Sequence, residues 1–172
     1  VALDTSITEQ QLESLKPQAI IEALVEDLRA FYERKAKSIA DTVRPTMERI
    51  YADRKDNMDM RIAFPLTDGR LRYSIPVELQ KCKDTDCAEI YKVFAKIVMF
   101  TTIDDAWREH LREMDELRHS VQNATYEQKD PLLIYKLESY NLFAKMLDKI
   151  NRDILAILNK AYIPTRENNP ES

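Results

Sequence analysis

The residues best suited to chemistry are two histidines, two cysteines and the carboxylates around them. Glu116 and His119 stand three apart in Glu-Leu-Arg-His, which is half of the ligand set of a di-iron helical bundle. That design requires a second Glu-x-x-His on another helix, and the other histidine, His110, has Trp107 at the matching position. We therefore predict no metal site and interpret these side chains as the solvated ends of a charged helix.

Cys82 and Cys87 lie in a polar segment without a nearby histidine, so they supply too few ligands for zinc. Two reduced thiols are the expected state, with a strained local disulfide as the alternative. Neither cysteine lies in a recognisable nucleophile motif. The single glycine, Gly69, excludes both a phosphate-cradling loop and a dinucleotide fingerprint within this sequence. No catalytic residue is predicted.

Composition indicates long, solvated helices as the elements that carry these residues. Charged residues make up 33% of the 172 residues, while one glycine leaves few turns. Hydrophobic residues, at 44%, suffice for a core in one domain or two small ones. The net charge of −4 argues against nucleic acid as a partner, and no apolar run is long enough to span a bilayer. The sequence opens on Val1 without a signal peptide, and we expect it to be a piece of a larger protein.

Two segments, Asp84–Gln122 and Pro131–Tyr162, carry apolar residues three or four apart. This spacing predicts two striped helices, which a short polar connection turns into an antiparallel pair. At ~1.5 Å per residue the pair is a rod of roughly 45–55 Å with a polar tip. The residues predicted to form its core are Trp107, Leu111, Met114, Tyr140, Phe143 and Leu147.

Before this rod, the sequence predicts a short helix capped by Thr8 and a second helix that begins at Pro17. Pro45 is expected to kink or stop that helix near Arg44, after which it restarts and ends near Asp56.

A change to period two over residues 60–77 predicts a β-hairpin. Taking Asp68-Gly69 as a two-residue turn pairs Leu66 with Leu71 and, further along, Phe64 with Tyr73 and Ile62 with Ile75. All six side chains then share one face, which must pack on the helices. The hairpin has either a purely structural role or a role as a docking surface for a partner.

Residues 81–86 are expected to form a polar connector, with Asp84, Thr85 or Asp86 capping the helix that follows. Asp130 is predicted to cap the second helix of the pair, with Pro131 as its first residue. The polar residues after Ile163 predict a disordered tail.

Two blocks of the rod form a recognisable pattern. The first runs from Thr102 to Leu111 as T-I-D-D-A-W-R-E-H-L and continues with M-D-E-L-R at residues 114–118. The second is Y-E-Q-K-D-P at residues 126–131, followed by Tyr135-Lys136 and by F-A-K-M-L at residues 143–147. In order and spacing these blocks resemble the C-terminal region of SecA, the ATP-driven motor of bacterial protein export.

The small β-hairpin that the residues predict lies outside the family's pattern and is interpreted as an insertion. The resemblance implies a mainly α fold, with a long antiparallel helical hairpin and a helical wing that carries this insertion. It implies a wing domain over residues 1–96, a two-helix finger over 97–163 and a disordered tail over 164–172. In the family the finger points into the SecY channel, and its tip contacts the unfolded preprotein. By motif position, the tip residues here are Thr125, Tyr126, Gln128 and Lys129.

The resemblance also implies what the parent protein supplies. ATP and Mg belong to its nucleotide-binding domains, so this fragment is expected to have neither a cofactor nor catalysis. Its implied partners are SecY, preprotein and the rest of SecA, and its implied location is cytoplasmic and peripheral at the inner face of the plasma membrane. Because the scaffold helix that would cover the stripe is missing, we expect self-association or the wing to bury the stripe. The alternative function is a static helical adaptor that docks a partner through its rod.

Overall fold

The computed structural model describes residues 5–53, 59–123 and 130–164. The elements in order are α1 (Glu9–Ser14), α2 (Pro17–Asp53), β1 (Arg61–Thr67), β2 (Arg72–Glu78), α3 (Leu79–Asp84), α4 (Ala88–Asn123) and α5 (Pro131–Lys160). The predicted mainly α architecture with one antiparallel hairpin is confirmed. Close contacts divide the chain into unit 1, Val1–Ala95 with Asn159–Ser172, and unit 2, Lys96–Leu158. The predicted tail, apart from Pro164, lies outside the described residues.

The start of the chain is fixed by local hydrogen bonds. Thr8 forms the predicted cap of α1, in a capping box with Gln11. Before it, the Ser6 N–H donates to the Asp27 carboxylate on α2 at 2.8 Å, and the Thr5 hydroxyl donates to the same oxygen at 3.1 Å. The bond from the Ser6 amide lowers the pKa of Asp27. As predicted, α2 begins at Pro17.

Pro45 does not stop α2, which continues as one helix to Asp53. The expectation that the helix stops and restarts was therefore wrong; the predicted end near Asp56 lies outside the described residues. An internal proline costs ~3 kcal/mol because it removes one hydrogen bond and crowds the preceding turn. Ile39, Val43 and Met47 lie on both sides of Pro45 along one stripe and are all buried, and their burial offsets that cost.

The β-hairpin forms, but its predicted register was wrong by two residues. Phe64 pairs with Ile75, and Leu66 pairs with Tyr73. The turn is a four-residue loop in which the Asp68 carboxylate accepts the N–H groups of Arg70 at 2.9 Å and Leu71 at 2.7 Å. Only Gly69 has a positive φ in this loop, whereas the expected two-residue turn requires one at both positions.

A two-residue shift keeps every strand side chain on its original face, because side chains alternate with a period of two. Phe64, Leu66 and Ile75 are therefore buried as expected. Val77, which pairs with Ile62, joins this face, whereas Leu71 lies in the loop and is exposed.

The expected polar connector at residues 81–86 is largely helical, so that prediction was also wrong. Residues Leu79–Asp84 form α3, with Leu79 and Cys82 fully buried. Polar residues separate Leu79 and Cys82, and a helix of six residues is too short for its apolar face to give a recognisable periodic pattern. Of the three proposed caps for α4, Thr85 accepts a hydrogen bond from the Glu89 N–H at 3.2 Å. Both cysteines are free thiols, as expected.

The core of unit 1 joins the hairpin to α2, α3 and the start of α4. Its aromatic centre is Phe94, which packs edge-on against Tyr73 with ring centroids 5.2 Å apart. Thr67 and Tyr162 exchange backbone hydrogen bonds of 2.9 and 2.8 Å, so the C-terminal segment also attaches to β1. Among the described residues of this unit, those with no exposed surface are Met47, Leu66, Ile75, Leu79, Cys82, Ile90, Phe94 and Ala161.

Candidate functional site: the helical pair of unit 2

The ends of α4 and α5 flank the segment in which the predicted tip residues lie. Helix α4 ends at Asn123, and α5 begins at Pro131. The Asp130 carboxylate accepts the Leu132 N–H at 2.9 Å, which confirms the predicted cap. Thr125, Tyr126, Gln128 and Lys129 themselves lie outside the described residues.

A narrow seam joins the two helices. Ala106, Met146 and Ile150 form a buried cluster with Ile154 packed against it. Nearer the tip, His110 meets Phe143 edge-on with ring centroids 5.9 Å apart. Residues later in α4 contact residues earlier in α5, so the two helices are antiparallel, as predicted.

An open apolar face lies beside this seam. Trp107, Leu111 and Leu147 each follow a seam residue by one position, which is a rotation of ~100° about the helix axis. Because the two helices run antiparallel, the residue that follows a seam residue points to the same side of the pair on both helices. We call this surface the open apolar face; it consists of Phe100, Ile103, Trp107, Leu111, Leu133, Leu137, Tyr140, Phe143 and Leu147.

The predicted finger core is therefore not a core in this chain. Five of its six residues are more than two-fifths exposed, with Tyr140 at 73%, and Met114 is half-buried. The apolar stripe on each helix is wider than the seam, so one partner helix cannot cover it. Ala106 and His110 were not predicted from the sequence as seam residues. They lie four positions apart, as residues on one helix face do, but their charged neighbours hide this pattern.

The opposite side of the seam is charged. Glu109, Glu113, Lys145 and Lys149 line a shallow cavity of about 190 Å³ above Ala106 and Met146. The carboxylate of Glu109 accepts hydrogen bonds from Arg112, and these bonds, with a smaller contribution from Lys149, lower its pKa. This arrangement suits solvent, whereas the open apolar face suits a partner.

His110 is the one polar side chain buried in the described part of the pair, at 6% exposure. It lies between Phe143 and Trp107, whose ring centroid is 5.5 Å away, and its Nδ1 atom has no hydrogen-bond partner. Within the described ranges, no three His, Cys, Asp or Glu side chains lie close enough to hold a metal ion. None of the described helices is both long and apolar enough to cross a membrane.

Comparison with known proteins gives a consistent result. A family model described as the SecA wing and scaffold domain matches residues 2–162, a range that includes the β-hairpin. Three similar proteins are each named protein translocase subunit SecA. The chain is 45% identical over 166 residues to that of Parabacteroides distasonis, 41% over 167 to that of Phocaeicola vulgatus and 42% over 167 to that of Porphyromonas gingivalis strain W83.

These alignments cover 96–97% of the chain but only 15% of each relative. No solved structure matches the chain significantly.

Proposed function

The chain belongs to the SecA wing and scaffold family, and from this membership we propose that its helical pair is a two-helix finger of a protein-export motor. In this proposal, residues 124–129 contact both the unfolded preprotein and the SecY channel. Nucleotide binding and hydrolysis belong to other parts of the parent protein. The parent works in the cytoplasm, peripheral to the inner face of the plasma membrane.

The observation that supports the proposal is the antiparallel pairing of α4 and α5, whose adjacent ends are joined by residues 124–129. Asn123 ends one helix and Asp130 caps the next, so the connecting residues are held at one end of an antiparallel pair. A pair joined by side-chain packing over several turns resists bending better than a loop, so it can transmit a displacement.

The composition of the connection fits a sequence-tolerant grip. Residues 120–130 supply hydroxyl and amide groups and one aromatic ring, that of Tyr126. Such groups hydrogen-bond to a peptide backbone and pack against varied side chains without selecting a sequence. A preprotein presents both kinds of group along its whole length.

The open apolar face supports a second part of the proposal, that the rest of SecA covers it. The nine large residues of this face are 42–74% exposed and together present roughly 900 Å² of surface, whereas the largest patch on a typical monomer is about 300–600 Å². About 800 Å² per partner is enough for a stable interface. Without its parent, the chain is expected to bury this face by self-association.

The test is Tyr126→Ala in the full-length parent. Preprotein transport is expected to fall at least about tenfold, the effect of losing roughly 1.4 kcal/mol of contact, while ATP binding stays unchanged. Tyr126→Phe, which keeps the ring, is the matched control and should retain most transport. Normal transport by Tyr126→Ala would reject the grip.

The exposure of the apolar face also favours a second candidate, a static adaptor that docks a partner through the rod. An adaptor would tolerate Tyr126→Ala and lose its partner on Leu111→Asp. The motor reading requires transport to be sensitive to Tyr126 itself.

A further inference from the structure

The two cysteines meet because of how α3 ends. The Cys87 N–H donates to the Cys82 carbonyl at 2.7 Å, and the Asp86 N–H donates to the Lys83 carbonyl at 3.3 Å. Asp86 lies in the left-handed region with φ of 49°. These are the two bonds of a Schellman cap, a motif that brings the side chains of its first and last residues into contact. Here those residues are Cys82 and Cys87.

The backbone of this cap suits a disulfide. A turn closed by the 2.7 Å bond holds its end Cα atoms roughly 6 Å apart, within the range of about 4.4–6.8 Å found in disulfides. Both thiols are free, with 0% and 3% of their residues exposed. The thiols of Cys82 and Cys87 therefore face each other at a packed site and not in an extended loop.

A small surface cavity lies beside the two cysteines. Cys82 and Cys87 line a surface cavity of about 160 Å³, together with Tyr51, Lys83 and Arg44. A water molecule occupies ~30 Å³, so the cavity admits a molecule with two oxygen atoms. The Tyr51 hydroxyl is buried in this cavity beside both thiols.

We propose that Cys82 and Cys87 form a peroxide-sensitive dithiol that closes to an intrachain disulfide across the α3 cap. Cys87 reduces hydrogen peroxide, becomes a sulfenic acid and releases one water. The Cys82 sulfur then attacks the Cys87 sulfur, and the leaving hydroxide takes the Cys82 proton as a second water. Two thiol sulfurs lose two electrons in total, and the peroxide oxygens gain them.

The order of the two steps follows from burial. Burial raises the pKa of Cys82 to about 12, so this residue stays a thiol and is a poor first nucleophile. Cys87 is therefore the residue that meets peroxide, and Cys82 resolves the sulfenic acid beside it.

The experiment treats the whole chain with hydrogen peroxide in the presence of dimedone, which traps sulfenic acids, and measures intact mass. The expected product is lighter by two hydrogens and carries no dimedone. Its ratio of dimedone adduct to disulfide should be at least about tenfold lower when folded than in guanidinium, because the fold holds the thiols together. A folded chain that stays reduced, or that accumulates the adduct, would overturn the proposal.

Two variants, checked for folding by circular dichroism, assign the steps. Cys82→Ala should convert the signal at Cys87 from disulfide to dimedone adduct, whereas Cys87→Ala should leave Cys82 reduced. The opposite pattern would contradict the assigned order. The wild-type comparison needs neither variant, so the proposal remains testable if one of them fails to fold.

Discussion

The two units of the chain differ in how completely they bury their apolar residues. In unit 1, Phe94, Leu66 and Ile75 have no exposed surface. In unit 2, the residues that join the helices, Ala106, Met146 and Ile150, keep 7–8% exposure, and their large apolar neighbours are about half exposed. Unit 1 therefore has its own core, whereas the helices of unit 2 carry more apolar surface than their seam can use.

This difference identifies which surface depends on something outside the chain. A wide apolar stripe beside a narrow seam is typical of a surface that packs against a further element. The charged side of the same pair has its own ion pairs and needs no cover. We therefore propose that the open apolar face is the surface through which the chain contacts the rest of its parent protein.

The largest expected effect contrasts one buried ring with one half-exposed ring. Phe94→Ala should lower the free energy of unfolding by about 3–5 kcal/mol, since it leaves a cavity in a packed core. Trp107→Ala should cost about 1 kcal/mol or less, because the Trp107 side chain already contacts solvent. Denaturant unfolding of both variants measures the contrast. Equal costs would mean that the seam of unit 2 is as complete as the core of unit 1.

A smaller effect is expected on self-association. Leu111→Asp places a charge in the open apolar face and should weaken association of the chain at least about tenfold, corresponding to about 1.4 kcal/mol. Ala156→Asp makes the same change of charge at an exposed position on the charged side of α5 and is the control. Sedimentation equilibrium over a concentration series compares them. A wild-type chain that is monomeric throughout would contradict the expectation.

The smallest effect is electrostatic and belongs to unit 1. Arg44 on α2 donates to the Asp86 carboxylate at 2.6 and 2.9 Å and lowers the pKa of Asp86. The contribution to stability is present above the ordinary aspartate pKa of about 3.9 and is lost as pH falls through the lowered value in the folded state.

The check is the difference in melting temperature between wild type and Asp86→Asn. It should be small at neutral pH, since the pair is exposed, and should disappear in strong acid. A difference that grows on acidification would have the wrong sign for this ion pair.

Residue types and their periodicity predicted the helices and strands better than they predicted which residues of different elements pair with each other. Thr8, Pro17, Asp130 and Pro131 marked helix ends correctly, because a cap depends on residues only a few positions away. The hairpin faces were also correct, since a period of two survives a shift of two residues. The register was not, because it depends on whether the Asp68 carboxylate binds nearby backbone amides, which spacing alone does not decide.

The errors at Pro45 and in α3 have a common cause. Local rules assign a helix break to a proline and a loop to a polar segment, but burial of Met47 and Cys82 against the rest of unit 1 outweighs both. In the same way, a stripe predicts that an apolar side is covered but not by what. The residues that form the seam, Ala106, His110 and Met146, therefore each precede by one position a residue that was expected to form it.

The proposed contact of Tyr126 with the preprotein and with SecY can be tested by site-specific photocrosslinking. A photoreactive amino acid would replace Tyr126 in the full-length parent, stalled with a preprotein in the channel, and would replace the exposed Lys145 as the control. The account predicts crosslinks from position 126 to the preprotein and to SecY, and few from position 145. Crosslinks from position 126 only to its own chain would contradict it.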